Sequence, residues 1–141
     1  MKLRNATIED WDILLEWRND HTTRYFSFNQ DAIDSDSHKQ WLSKSLDNPL
    51  ITILILEDQN RKPVGSIRSD KNNNEEYILS WVINPSHRKK GYGSLILSSF
   101  LNESKGKFIA EIKDDNIGSL KMVTKNGFSK IKNQTYIKIN E

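Results

Sequence analysis

Residues Arg88-Lys89-Lys90-Gly91-Tyr92-Gly93 stand between an apolar stretch, Tyr77 to Ile83, and the helix-like run Ser94 to Leu101. That placement constrains the fold more than any other feature of the chain. Two glycines one residue apart let the backbone turn with its N–H groups facing one way, and a following helix start adds unpaired donors and the positive end of a dipole. Three cationic side chains stand beside them. The pattern calls for a strand, a tight anion-binding turn and a helix in succession, and its natural guest is a diphosphate.

Spacing separates the glycine loops that hold diphosphates. A P-loop has four residues between its first glycine and a Gly-Lys-Ser/Thr, whereas Gly91 is followed by Tyr92-Gly93-Ser94 with no lysine in place. A dinucleotide fold places its first glycine directly off a strand and a third glycine where Ile96 stands, yet seven residues separate Ile83 from Gly91. Glu111, at about the distance of a ribose-binding acid, keeps that alternative open.

The chain has 141 residues, enough for one domain, 1–141, and no second one. Its 21 Lys and Arg against 19 Asp and Glu leave no strong overall field, so neither nucleic acid nor an anionic membrane is an expected partner. The absence of cysteine excludes disulfides, a thiolate nucleophile, a Cys-based zinc site and a covalent acyl-cysteine intermediate. The three histidines are far apart in sequence with no ligand spacing, so no metal is expected. The longest apolar run, Leu50 to Leu56, is far shorter than the ~18 residues of a membrane span. The amino terminus has no apolar core of a signal peptide, and a cytoplasmic address is the expectation.

Hydrophobic spacing predicts a first helix from Thr7 to about Asn19, with Thr7 and Asp10 as a capping box. An ordered aromatic loop over His21 to Asp36 follows, then a helix capped by Ser35 or Ser37 and ending before Asn48-Pro49. In these helices Trp17 and Trp41 read as core residues. Three strands come next, Leu50 to Glu57, Val64 to Ser69 and Tyr77 to Ile83, linked closely enough for an antiparallel meander. After the glycine turn come a helix from Ser94, a strand Phe108 to Ile112, a helix Ile117 to Lys125 closed by Asn126-Gly127, and a final hairpin within Phe128 to Ile139.

The string Ile83-x-x-x-x-Arg88-x-x-Gly91-x-Gly93-x-x-Ile96 resembles the acyl-CoA-binding motif of the GNAT superfamily of N-acetyltransferases. Downstream, Asn116-x-x-Ser119-x-x-Met122-x-x-Lys125-x-Gly127-Phe128 resembles the second motif of that family, and the order of elements matches over essentially the whole chain. The resemblance implies an α/β (α+β) fold with a mixed, mostly antiparallel sheet, splayed strands and flanking helices. It implies acetyl-CoA as donor and direct acetyl transfer to a primary amine in a ternary complex. Trp81, Val82 and Ile83 would meet the pantetheine arm, and Arg88, Lys89, Lys90, Gly91, Tyr92, Gly93 and Ser94 would hold the pyrophosphate. Asn116, Ser119 and Lys125 would lie near the cofactor.

Its catalytic implications are a Val82 N–H that stabilises the oxyanion and a tyrosine that protonates the leaving thiolate. Here the tyrosine position is Val123, which leaves Ser119, then Tyr136, as substitutes. Glu76 is the nominated base, with Glu111, His21 and His38 as further candidates; His87 reads as a phosphate neighbour.

Trp17-Arg18-Asn19-Asp20, Thr23-Arg24-Tyr25 and His38-x-x-Trp41 resemble the branch of the family acting on amino-sugar nucleotides and ribosomal-protein amino termini. Arg18, Arg24, Tyr25 and Phe28 would then bind the acceptor, guanidinium forks taking an anion and rings stacking. An amino-sugar nucleotide is the first expectation and a protein amino terminus the second, for a monomer or homodimer. A non-catalytic acyl-CoA-binding module and a basic RNA-binding face are the readings from other classes.

Overall fold

Seven strands organise the molecule, most of them built by alternating apolar residues, and the computed structural model describes them within residues 1–141. In chain order they are β1 (Lys2–Asn5), β2 (Ile51–Glu57), β3 (Pro63–Lys71), β4 (Glu76–Ile83), β5 (Gly106–Glu111), β6 (Ser129–Lys132) and β7 (Thr135–Asn140). The helices are α1 (Trp11–Asn19), α2 (His21–Phe26), α3 (Ser35–Asp47), α4 (Tyr92–Asn102) and α5 (Ile117–Lys125). The sheet order is β1-β2-β3-β4-β5-β7-β6. Only β4 and β5 pair in parallel, joined by the α4 crossover. This is the mixed, mostly antiparallel sheet flanked by helices that the motifs implied.

Strand alternation sends side chains to two cores. Leu54, Leu56, Ile67 and Leu79 pack with Ile96, Leu97, Phe100, Met122 and Val123 of α4 and α5 on one face. Ile53 and Ile55 pack with Leu14, Trp17 and Leu42 of α1 and α3 on the other. No helix is long and apolar enough to cross a membrane.

Several sequence expectations need correction. The first strand is missing from the sequence reading because Lys2 to Asn5 carries almost no apolar signal. Pairing with Leu54 to Glu57 creates it, and Arg4 fixes it by bonding Asp10 with both ends of its fork and Glu57 through Nε, each at 2.8 Å. The first helix is broken: a 3-10 turn, Ile8–Asp10, precedes α1. Within that turn the Thr7 N–H donates to Asp10 Oδ2 at 2.8 Å. The expected loop after Asp20 begins as α2, whose N-cap Asp20 accepts from the Thr23 N–H. Asp34, rather than a serine, caps α3, and α4 starts at Tyr92 rather than Ser94. Trp41 is not core; it is 38% exposed, while Trp17 is buried as expected.

The Arg4 guanidinium holds the buried Asp10 carboxyl below the usual carboxylate range, against the opposing effect of burial. A folded-state pKa below the unfolded one contributes stability that is present above the ordinary carboxylate range and lost as pH falls through the depressed value. Asp10→Asn should therefore lower the melting temperature by several degrees at pH 7, a loss of about 1–3 kcal/mol. The gap to wild type should narrow below about pH 4. Thermal melts from pH 7 to pH 3 check both statements, and a pH-independent gap would contradict them.

Candidate functional site

The parallel pairing of β4 with β5 runs from Glu76↔Lys107 to Leu79↔Ala110 and stops. Ser80 to Ile83 therefore continue with β3 on one side and no strand on the other, which opens a fork in the middle of the sheet. Backbone alternation decides which groups face the fork. At the two ends of β4, Asn72 N–H donates to the Glu76 carbonyl and Asn84 N–H donates to the Val64 carbonyl, each at 2.9 Å. The register between them has no bulge, so the even-numbered residues of β4 bond β3 and the odd-numbered residues face β5. The N–H and C=O of Trp81 and Ile83 point into the fork. Val82, nominated from sequence as the oxyanion donor, instead directs its N–H at Ser66 of β3; this is a correction that the strand's own period requires.

Below the fork lies the glycine turn. Lys89 and Gly91 adopt left-handed backbone, at φ 61° and 83°, and the first backbone bond of α4 runs from Leu95 N–H to the Gly91 carbonyl. The N–H groups of residues 88–94 donate to no backbone carbonyl, which leaves a run of free donors at a helix start. A Cβ on Gly93 would stand 2.6 Å from Met122 Sδ, so the second glycine is set by the close approach of α4 to α5. Lys89 and Lys90 are exposed beside the row, and Tyr92 lies against His87, whose Nδ1 is buried without a partner. This turn fits a diphosphate.

Arg88 departs from its expected role. Its Nη2 bonds Asp20 Oδ2 at 2.7 Å and Thr23 Oγ1 at 2.9 Å. Burial raises the Asp20 carboxyl, but Arg88 and the Thr23 N–H outweigh it and leave Asp20 below the usual carboxylate range. The opposite end of α2 is tied to the loop after β5: Tyr25 Oη donates to Asp115 Oδ2 at 2.7 Å, and Lys113 Nζ donates to the Tyr25 carbonyl at 3.2 Å. Thus α2 straps across the fork, held on the β4 side by Arg88 and on the β5 side by Asp115 and Lys113.

In the second motif, Asn116 caps α5 by accepting from the Ser119 N–H at 3.2 Å. Ser119 Oγ accepts from Trp81 Nε1 at 3.0 Å, which leaves its own proton available at the fork. Val123 is fully buried and cannot present any group to the thioester. Lys125 is exposed in the last turn of α5. Tyr136 lies on β7, separated from β4 by β5. Glu76 is at the wrong end of β4, six residues and roughly 20 Å from Val82. There it is held ionised first by Lys107 Nζ at 2.8 Å and then by Asn72. The base expected there is thereby corrected. Glu111 and His21 are exposed.

On the α1–α3 side of the sheet a cavity of about 350 Å³ adjoins the fork. Ser66, Arg68, Ser80 and Val82 form its floor, and Arg18, Thr23, His38 and Trp41 contribute to its roof. Arg18 is the only one of the four expected acceptor-binding residues in its wall. Arg18 Nη2 bonds the Asn29 carbonyl at 2.7 Å, and its Nη1 is buried with no partner. Burial and the neighbouring Arg24 push Arg18 below the ordinary arginine range. Arg24 instead bonds the Gln30 carbonyl, Tyr25 serves the strap, and Phe28 is exposed beneath Lys113.

Arg68 was missed from sequence because nothing in a strand's alternation marks a cationic residue as pocket-facing. It is bidentate to Asp70, at 2.6 and 2.7 Å, and its guanidinium lies 4.8 Å from the Trp41 ring centroid. No Asp or Glu lines the cavity. No group of three or more His, Cys, Asp or Glu is placed to hold a metal ion.

Comparison with solved structures finds the same fold throughout. A spermidine N-acetyltransferase from Vibrio cholerae, in complex with CoA and spermine, superposes with a TM-score of 0.88 at 14% identity, over 99% of this chain and 95% of that one. A ribosomal-protein-alanine N-acetyltransferase from Brucella melitensis gives 0.80 at 21% identity, over 99% of each chain. A phosphinothricin acetyltransferase from Sinorhizobium meliloti, in complex with AcCoA, gives 0.77 at 16% identity, over 96% and 85%. No curated protein sequence matches. A family model described as an acetyltransferase (GNAT) domain matches residues 1–129, and with the forked sheet and the glycine turn in place the chain belongs to the GNAT acetyltransferase family.

Proposed function

We propose that this acetyl-CoA-dependent N-acetyltransferase acts on a primary amine carried by an anionic, ring-bearing acceptor, of which an amino-sugar nucleotide is the best fit. The observation that carries the reading is the cavity beside the fork, with the buried, unpartnered Nη1 of Arg18 and no carboxylate in its wall. A buried guanidinium N–H without a partner is costly unless an acceptor meets it. A phosphate or carboxylate would form a charge-assisted bond there. A polyamine would meet two guanidinium groups instead. Trp41, partly exposed and stacked with Arg68, offers an aromatic surface to a ring.

Each residue's part follows from its position. The N–H row of 88–94 holds the donor's diphosphate, and exposed Lys89 and Lys90 add charge. Trp81 and Ile83 offer backbone donors and acceptors to the pantetheine arm. Their N–H groups are the oxyanion donors available in the fork. Acetyl-CoA supplies an activated thioester when bound, and holding the amine beside it does much of the remaining work. Ser119, oriented by the Trp81 indole, is the proposed proton relay to the thiolate: its hydroxyl gives a proton to sulfur and takes one from the acceptor nitrogen in the same step. The cytoplasm is the proposed address.

Two measurements test this. In thiol-release assays, glucosamine 1-phosphate and a UDP-linked amino sugar should be acetylated in preference to glucosamine, spermidine and an alanyl peptide. Arg18→Leu should raise KM for the phosphorylated amines about 10- to 100-fold while leaving acetyl-CoA affinity intact. Preference for spermidine would overturn the acceptor reading, and preference for the peptide would favour the protein amino terminus. By calorimetry, Gly91→Val should abolish detectable acetyl-CoA binding. Its left-handed backbone disfavours a β-branched residue, while no atom within 4 Å would clash with the added Cβ. Unchanged affinity in a folded variant would contradict the cradle.

A further inference from the structure

His38 is buried, at 3% exposure, in the first turn of α3, and it lines the cavity opposite Ser80, Trp81 and Val82. Its Nε2 is buried with no hydrogen-bond partner. A buried polar atom without a partner is uncommon enough in folded proteins to need a reason. In the neutral ring with its proton on Nδ1, the lone pair is on Nε2, the nitrogen that has no partner.

We infer that His38 is the general base of this enzyme, taking a proton from the acceptor ammonium through Nε2. The inference rests on the N-acetyltransferase reading above and deepens it. The proton count closes with this one base. His38 takes one proton from R–NH3+, and the nitrogen lone pair of R–NH2 forms the C–N bond at the thioester carbonyl. The C–S bond then breaks with its electron pair on sulfur, the second ammonium proton reaches the thiolate by way of the Ser119 hydroxyl, which gives one proton and takes the other, and His38 releases its proton to solvent. The products are the N-acetyl amide and the free thiol.

The surroundings keep the imidazole neutral and able to accept. Burial lowers its pKa below the ordinary histidine value, more than the Trp11 carbonyl raises it. From α1 it shares the cavity with Arg18, and from β3 with Arg68, the latter held by Asp70. Asp10, in the 3-10 turn packed against α3, is taken by Arg4. On its own helix, Lys39 lies over the Trp11 ring at 3.9 Å and Asp34 is spent on the Ser37 cap. No carboxylate in the cavity wall competes for the role or stabilises the imidazolium.

The test combines kinetics with ring nitrogen NMR. With UDP-linked amino sugar as acceptor, His38→Gln should lower kcat/KM at pH 7.5 by about 10²- to 10⁴-fold with acetyl-CoA affinity unchanged. It should also remove the lower inflection of the pH profile, which in wild type falls below the ordinary histidine range. Activity within threefold of wild type with the inflection retained would overturn the inference. Long-range ¹⁵N correlation on the wild-type protein tests it without any acceptor: at pH 7.5 the proton should be on Nδ1 and Nε2 should be bare. A proton on Nε2 at that pH would overturn it even if the glutamine variant misfolded. A wild type that acetylates none of the panel amines counts against the acceptor reading, while the tautomer still decides His38.

Discussion

The molecule depends on one interruption: the hydrogen bonds between β4 and β5 cease at Leu79 and Ala110. A continuous ladder would use the N–H and C=O groups of Trp81 and Ile83 within the sheet. The fork leaves them directed at a space that a pantetheine arm can enter, with the helix start of α4 close to one side. The interruption also makes a parallel pair useful here, since the α4 crossover delivers the diphosphate turn to the end of the strand that carries the free backbone. Trp81 supports the fork with its side chain as well, bonding Ser119 of α5 at 3.0 Å. The proposed donor binding, oxyanion stabilisation and thiolate protonation all involve groups around this one residue pair.

The cavity proposed for the acceptor is coupled to that fork through α2. A six-residue helix has little stability of its own, because nucleation is costly and few bonds repay it. Here both ends are fastened to the donor side, by Arg88 on Asp20 and Thr23 and by Asp115 and Lys113 on Tyr25. The wall of the cavity proposed for the acceptor and the rim of the fork are therefore tied together through α2. Their charges differ: charge at the glycine turn stands in exposed lysines, whereas the cavity buries Nη1 of Arg18 and has His38 in the same wall. Buried groups with unused donors and acceptors are costly in isolation and discriminating when a matching ligand arrives.

Much of this was legible in the sequence because it depends on local rules. The glycine turn, the meander, the α5 boundaries and the Asn126-Gly127 stop follow from turn chemistry and hydrophobic period. What escaped was set by pairing or by tertiary partners. Lys2–Asn5 becomes a strand because β2 offers it an edge and Arg4 has two carboxylates to reach. Trp41 has helical spacing but faces a cavity with Arg68 over it. Arg88 fits an anion motif by position, yet its guanidinium finds Asp20, 68 residues away in sequence. Val82 and Glu76 fail for a simpler reason: a strand's two-residue period and its length decide which backbone group, and which end, reaches the fork.

Amide hydrogen exchange, resolved by residue with and without coenzyme A, tests the fork most directly. In the free protein the Trp81 and Ile83 amides should exchange far faster than Val82, whose N–H is held by β3. Coenzyme A should slow Trp81 and Ile83, together with the amides of 89–94, and leave Val82 unchanged. Protection of Trp81 in the free protein, or a coenzyme-dependent change confined to Val82, would contradict the alternation on which the whole site is built.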